Sequence, residues 1–210
     1  GSGTFFVSEE SYFNRICQSN HNKVALFSKY MNGLSININA AVLGKKVIVS
    51  YPSVQLIGLS SCSNRSETFC GNDFGTTKVI PPSLIFSAQE CVFRIGKLLS
   101  SLGYQGIFGV DLIVDIDHNV IYPIDLNPRF QNSTHLLTGI ELLEEKTPLI
   151  IYYIAFQLGL LSEEDIQDEI RVDQKREVTQ MILHNLTDTA QVTGNVKPGI
   201  YKTSMKSLVN

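Results

Sequence analysis

The sequence predicts an α+β fold, and three observations carry that reading. Strand-like and helix-like stretches are mixed without a strict βαβ rhythm. The composition, 43% hydrophobic and 18% charged with mean hydropathy +0.07, is that of a globular chain. At 210 residues the chain can bury a sizeable core, because folding at this size hides roughly 70% of the unfolded surface.

The elements follow in order. Ser8-Glu9-Glu10 opens a helix that carries Tyr12, Phe13, Ile16 and Cys17 on one face. Residues 24–30 read as a strand, and Asn32-Gly33 punctuates the chain. Two strands follow, Leu34–Leu43 and residues 46–49, joined at Gly44-Lys45; residues 53–58 form another short one. Residues 59–77 are polar and small, a long loop of the functional or mobile kind. Ser87-Ala88-Gln89-Glu90 has capping-box spacing, so a helix is expected from Ser87 through Val92, Ile95, Leu99 and Leu102 to a stop at Gly103. Thr147-Pro148 opens the next helix, which Gly159 ends, and Ser162-Glu163-Glu164-Asp165 begins a short acidic one. Strand-like alternation returns over residues 178–196, with Pro198-Gly199 as a turn. This divides the chain into a main domain over residues 1–160, an acidic helix and linker over 161–177, and a small C-terminal β unit over 178–210.

Several function classes are excluded. Lys+Arg is 17 and Asp+Glu is 20, a net charge of −3 with no basic run, so nucleic acid is not an expected partner. The longest apolar stretch, residues 149–161, is interrupted by Gln157 and falls short of the about 20 residues that a membrane span needs. No signal peptide opens the chain. Cys17, Cys62, Cys70 and Cys91 form no CxxC pair and read as reduced thiols of a cytoplasmic protein. The opening Gly1-Ser2-Gly3-Thr4 fits either a cloning remnant or a start inside a glycine-rich loop.

The chemistry concentrates in residues 108–131, where two apolar strands flank Asp117-His118-Asn119, a three-residue hairpin turn. With Ile116 opposite Val120, Asp111 falls opposite Asp125 on one face, and Asn127 lies on that face opposite Gly109. Carboxylates opposed across a hairpin have Cβ atoms about 5 Å apart and repel. A divalent cation turns that repulsion into binding, and three hard oxygen donors suit magnesium or manganese over zinc. The same residues also fit a solvated sheet face whose acids keep an edge soluble. A turn one residue longer or shorter would put the two aspartates on opposite faces.

Phe108-Gly109-Val110-Asp111 and Asp125-Leu126-Asn127-Pro128-Arg129-Phe130-Gln131 resemble the metal-binding core of the ATP-grasp family, nearest its biotin carboxylase-like and carboxylate–amine ligase branch. The resemblance implies mixed or antiparallel sheets flanked by helices. It implies that Asp111 holds one magnesium (or manganese), that Asp125 bridges two, and that Asn127 holds the second. It gives Arg129 the catalytic task of steadying the transferring phosphoryl group or acyl phosphate. Asp125 stands where the family usually has Glu. Residues 26–33 resemble the family's strand and hinge beside adenine, which implies ATP contacts from Lys29, Tyr30 and Met31, and from Ser35 where Glu is common. Gly1, Ser2 and Gly3 resemble the mobile loop over the phosphates, and residues 53–58 with 69–72 are similar to carboxylase-related carboligases.

The resemblance spans roughly residues 1–140 and makes residues 1–160 the nucleotide- and metal-binding domain. Two phosphate-binding lysines and a substrate domain precede the loop in the family, so the chain is expected to be a fragment with an upstream domain. The implied activity is that of an ATP-dependent ligase. It activates a small-molecule carboxylate as an acyl phosphate, using ATP and Mg2+, for attack by an amine. A bicarbonate-activating carboxylase and a non-catalytic nucleotide-binding module are the alternatives. His135, six residues past Arg129, either faces substrate or belongs to the scaffold.

Overall fold

The computed structural model describes residues 5–21, 23–172 and 177–186, and the backbone of a C-terminal hairpin formed by Lys202–Ser204 and Ser207–Val209. Its centre is a hairpin of β1 (Leu34–Leu43) and β2 (Lys46–Ile57), closed by Gly44 at φ +63°, a left-handed conformation that suits glycine. Around it stand β3 (Phe69–Asp73), β4 (Gly106–Asp115), β5 (Val120–Asn127), β6 (Glu169–Ile170) and β7 (Thr179–Met181). The sheet order is β5-β4-β1-β2-β3-β7, antiparallel throughout, with β6 added parallel to β2. Among the described residues four helices accompany it: α1 (Glu10–Ser19), α2 (Pro82–Ser101), α3 (Thr134–Leu143) and α4 (Leu149–Gln157). This is the expected α+β arrangement of a largely antiparallel sheet flanked by helices.

The period-two alternation of strands sorts side chains onto two faces. Ile36, Ile38, Ala40 and Val42 of β1, with Phe108, Val110, Leu112 and Val114 of β4, pack against Leu84, Ala88 and Val92 of α2. Gly96 lets α2 come close, since a Cβ there would lie 2.6 Å from a Val47 methyl. On the other face Ala41, Leu43, Ile48, Tyr51 and Ile107 pack against Leu137, Ile140 and Leu149 of α3 and α4. The same face also carries Asn37 and Asn39, which meet the start of α3 rather than its apolar stripe, and Asp111, which Asn37 holds at 2.6 Å. One clamp holds this layer. Glu141 of α3, fully buried, receives Arg171 at 2.6 Å, the Ser50 hydroxyl at 2.8 Å and the Leu149 amide at 3.1 Å.

Several sequence expectations are corrected. β2 runs unbroken through Pro52, because a bulge opposite Ile38 and Ala40 absorbs the proline. α2 starts at Pro82, not Ser87: proline at the first helical position is pre-set for the helix, and Glu90 instead bonds Arg94 at 2.9 Å along it. Residues 24–30 form no strand; no strand among the described residues pairs with them, and the side chains of Val24 and Leu26 stand in solvent. The polar stretch 59–77 contains β3 and a 3-10 turn, Thr76–Val79. α3 was not expected at all. The acidic element is a 3-10 turn, Glu163–Asp165, capped reciprocally by Ser162 and Asp165. Within the expected strand of residues 178–196, β7 pairs with β3, and residues 187–196 lie outside the described residues, as do Pro198 and Gly199. Among the described residues no helix is long and apolar enough to cross a membrane.

Candidate functional site

Asp111 pairs with Asp125 and Gly109 with Asn127, the register the sequence implied, but reached by a different route. Asp115 pairs with Val120, so the turn holds four residues, 116–119, with Asn119 at φ +56°. That register alone would bring Ile124 opposite Asp111 and turn Asp125 to the far face. A bulge between the Leu112–Pro123 and Asp111–Asp125 pairs leaves Ile124 unpaired and restores the phase. The longer turn and the bulge cancel. β5 tolerates both the bulge and Pro123 because it is an edge strand.

These residues line a cavity of about 190 Å³ together with Asn37, Gln55, Phe69, Asn72, Arg129, Gln131, Asn132 and Ser133. Asp111 is half-buried and its carboxylate is strongly held. Oδ1 accepts from Asn37 at 2.6 Å and from Gln55 at 3.1 Å, Oδ2 accepts from Asn127 at 3.5 Å, and the Gln131 amide also donates to the carboxylate. Burial pushes its pKa up, as does the Asp125 charge, and the amide donors of Asn37, Gln55 and Gln131 work against the rise. The Asn127 amide also donates to Asp125 Oδ2 at 3.0 Å and so sits between the two carboxylates. Its carbonyl accepts from Arg129 at 3.0 Å, which keeps the guanidinium at the cavity mouth. Gln131 reaches in beside Gly109, where a Cβ would lie 1.8 Å from its Oε1, an atom that is buried without a hydrogen-bond partner.

The metal and phosphoryl residues expected from sequence, Asp111, Asp125, Asn127 and Arg129, thus share one cavity. Ser35 is one bond removed: its hydroxyl donates to Gln55 Oε1 at 2.5 Å. Lys29, Tyr30 and Met31 lie in the irregular segment before β1, where Tyr30 meets the Phe6 ring edge-on at 5.3 Å. Gly1, Ser2 and Gly3 are outside the described residues. His135 is exposed on α3. Asn37, Asn39 and Ser133 were not singled out from sequence, although the alternation Ile36-Asn37-Ile38-Asn39 was a readable sign of a strand with one polar face.

The donor set suits a small hard cation. No three His, Cys, Asp or Glu side chains cluster as a metal cage among the described residues. Two carboxylates, joined by the Asn127 oxygen once that amide turns over, leave coordination positions open, the arrangement by which Mg2+ is shared with substrate phosphates.

The family model for the ATP-grasp domain matches residues 1–133. A curated relative, the [butirosin acyl-carrier protein]–L-glutamate ligase of Niallia circulans, is 35% identical over 49 residues, which are 23% of this chain and 12% of that protein. The biotin carboxylase domain of a single-chain bacterial carboxylase has a similar fold, with TM-score 0.54 and 14% identity over 73% of this chain and 31% of that one. The carboxyaminoimidazole ribonucleotide synthase of Aspergillus clavatus, complexed with ATP, aligns at TM-score 0.47 and 14% identity over 68% of this chain and 33% of that one. The chain spans a third or less of each of these proteins.

Proposed function

The chain belongs to the ATP-grasp family, and we propose that it carries the metal and phosphate end of an ATP-dependent ligase that joins a small carboxylate to an amine. The observation that carries this reading is the pairing of Asp111 with Asp125 across β4 and β5, with Asn127 and Arg129 around the same cavity.

Asp111 Oδ2 and Asp125 would hold a divalent cation, Mg2+ or Mn2+, with Asn127 turning its amide so that its oxygen takes the place of the NH2 that lies between them. That ion supplies neutralisation of phosphate charge when bound. The protein's own part is positioning and electrostatics. Arg129, exposed at the mouth and already oriented by Asn127 Oδ1, can turn its planar fork onto two oxygens of a transferring phosphoryl group. The carboxylate substrate attacks that group and ADP leaves; the amine then displaces phosphate to form the amide. The amide-rich wall of Asn37, Gln55, Asn72 and Gln131 offers neutral donors and acceptors and adds no further charge beside the metal face.

Thermal denaturation with and without magnesium-ATP tests the reading. Ligand at 100 times its dissociation constant stabilises by about 2.7 kcal/mol, and Asp125→Asn is expected to abolish that gain. A magnesium-ATP shift of equal size in Asp125→Asn would sink the assignment. In the parent enzyme, ADP formation that requires an amine supports the ligase; formation stimulated by bicarbonate alone would point to a carboxylase.

A further inference from the structure

Asp111 has two oxygens with different surroundings. Oδ1 is occupied by the Asn37 and Gln55 amides, whereas Oδ2 faces Asp125 and Asn127. An ionised carboxylate only accepts hydrogen bonds, so both carboxamides must present NH2 to it. Their carbonyl oxygens then point away, and each is met by a serine hydroxyl. Ser133 donates to Asn37 Oδ1 at 2.8 Å, where the Asn39 amide adds a longer bond at 3.3 Å, and Ser35 donates to Gln55 Oε1 at 2.5 Å. Ser133 cannot reverse its role without breaking another bond, because Asn39 donates to its oxygen at 2.8 Å. Two hydroxyl-to-amide relays, one from the start of α3 and one from the start of β1, therefore converge on a single carboxylate oxygen.

We infer that Ser35 and Ser133 are positioning residues that lock Asn37 and Gln55 onto Asp111 Oδ1, so that Asp111 binds its cation through Oδ2 alone. The inference rests on the proposed metal site. It gives Ser35 a task distinct from nucleotide contact: removing its hydroxyl frees the Gln55 amide to turn, and Asp111 then rotates away from the geometry shared with Asp125. Loss of groups that orient a metal ligand typically weakens metal affinity by about 10–100-fold.

The test is Mn2+ binding to the full chain, read by electron paramagnetic resonance without nucleotide, in the native protein and in Ser35→Ala, Ser133→Ala and Ser35→Thr. Both alanine variants should bind Mn2+ about 10–100-fold more weakly. Ser35→Thr, which keeps the hydroxyl at a strand position that welcomes β-branching, should bind as the native chain does. Side-chain amide NMR supplies a readout without metal. The Asn37 carboxamide protons should lose their protection from exchange in Ser133→Ala, and those of Gln55 in Ser35→Ala. Native affinity in both alanine variants, or unchanged carboxamide signals, would overturn the inference while leaving the site intact. Failure of the native chain to bind Mn2+ would overturn the site reading and this inference with it. If Ser133→Ala does not fold, the Ser35 pair decides alone.

Discussion

Gly109 is the residue on which the cavity's shape turns. It faces Asn127 across the hairpin, and the space where its side chain would lie is filled by Gln131. Gly109→Ala forces Gln131 or the backbone to move, and overpacking of this kind costs about 1–3 kcal/mol. Urea denaturation should show that loss, together with a smaller magnesium-ATP stabilisation, because the displaced Gln131 donates to Asp111. The opposed aspartates and Asn127 were legible in the sequence because alternation along two apolar strands fixes which side chains share a face. The route was not: nothing in the apolar pattern distinguishes a three-residue turn from a four-residue turn followed by a bulge at Ile124, since both restore the same phase. Ser35 and Ser133 were illegible as partners of Gln55 and Asn37, because those contacts join positions 20 and 96 residues apart.

At the scale of elements, β7 is tied to β3 through one carboxylate. Asp73 accepts from the Gly75 amide at 2.7 Å, from the Thr76 hydroxyl, and from the Thr179 hydroxyl of β7 at 3.0 Å. Partial burial works to raise its pKa, but these donors outweigh burial and hold it below the usual aspartate value. A folded pKa below the unfolded value of about 3.9 stabilises the tie above that pH, and the stabilisation is lost as pH falls through the lower folded value. Hydrogen exchange should therefore show the Gln180 and Ile182 amides losing protection below about pH 4, ahead of those in β1. Asp73→Asn should show the loss already at neutral pH. Sequence located β1, α4 and the end of α2 well, where apolar periodicity and a glycine stop agree. It misplaced the start of α2 because the capping-box spacing at Ser87 lies inside the helix. It missed α3 because its ten residues follow a strongly motif-like stretch and their polar start, Ser133-Thr134, is committed to β1 rather than to a recognisable cap.

The whole molecule depends on the clamp between Glu141 and Arg171, which draws α3, the segment leading into α4, β6 and β2 together. Arg171→Met leaves a buried carboxylate without its cation and should cost roughly 3–5 kcal/mol in urea denaturation. Adding Glu141→Gln, whose oxygen can accept from the Leu149 amide while its NH2 donates to the Ser50 hydroxyl, should recover most of that loss. Because α3 also brings Ser133 and Thr134 to the cavity, the single variant should lower Mn2+ affinity as well, and the double variant should restore it. The division of β1 has one more consequence. Its even-numbered residues from Ile36 to Val42 face the α2 core, while Ser35, Asn37 and Asn39 serve the cavity. Fold and chemistry are thus written on alternate letters of one short word. From Ser35 to Asn39 the odd letters carry the cavity's polar lattice and its hold on α3, and the even ones carry the apolar weight under α2.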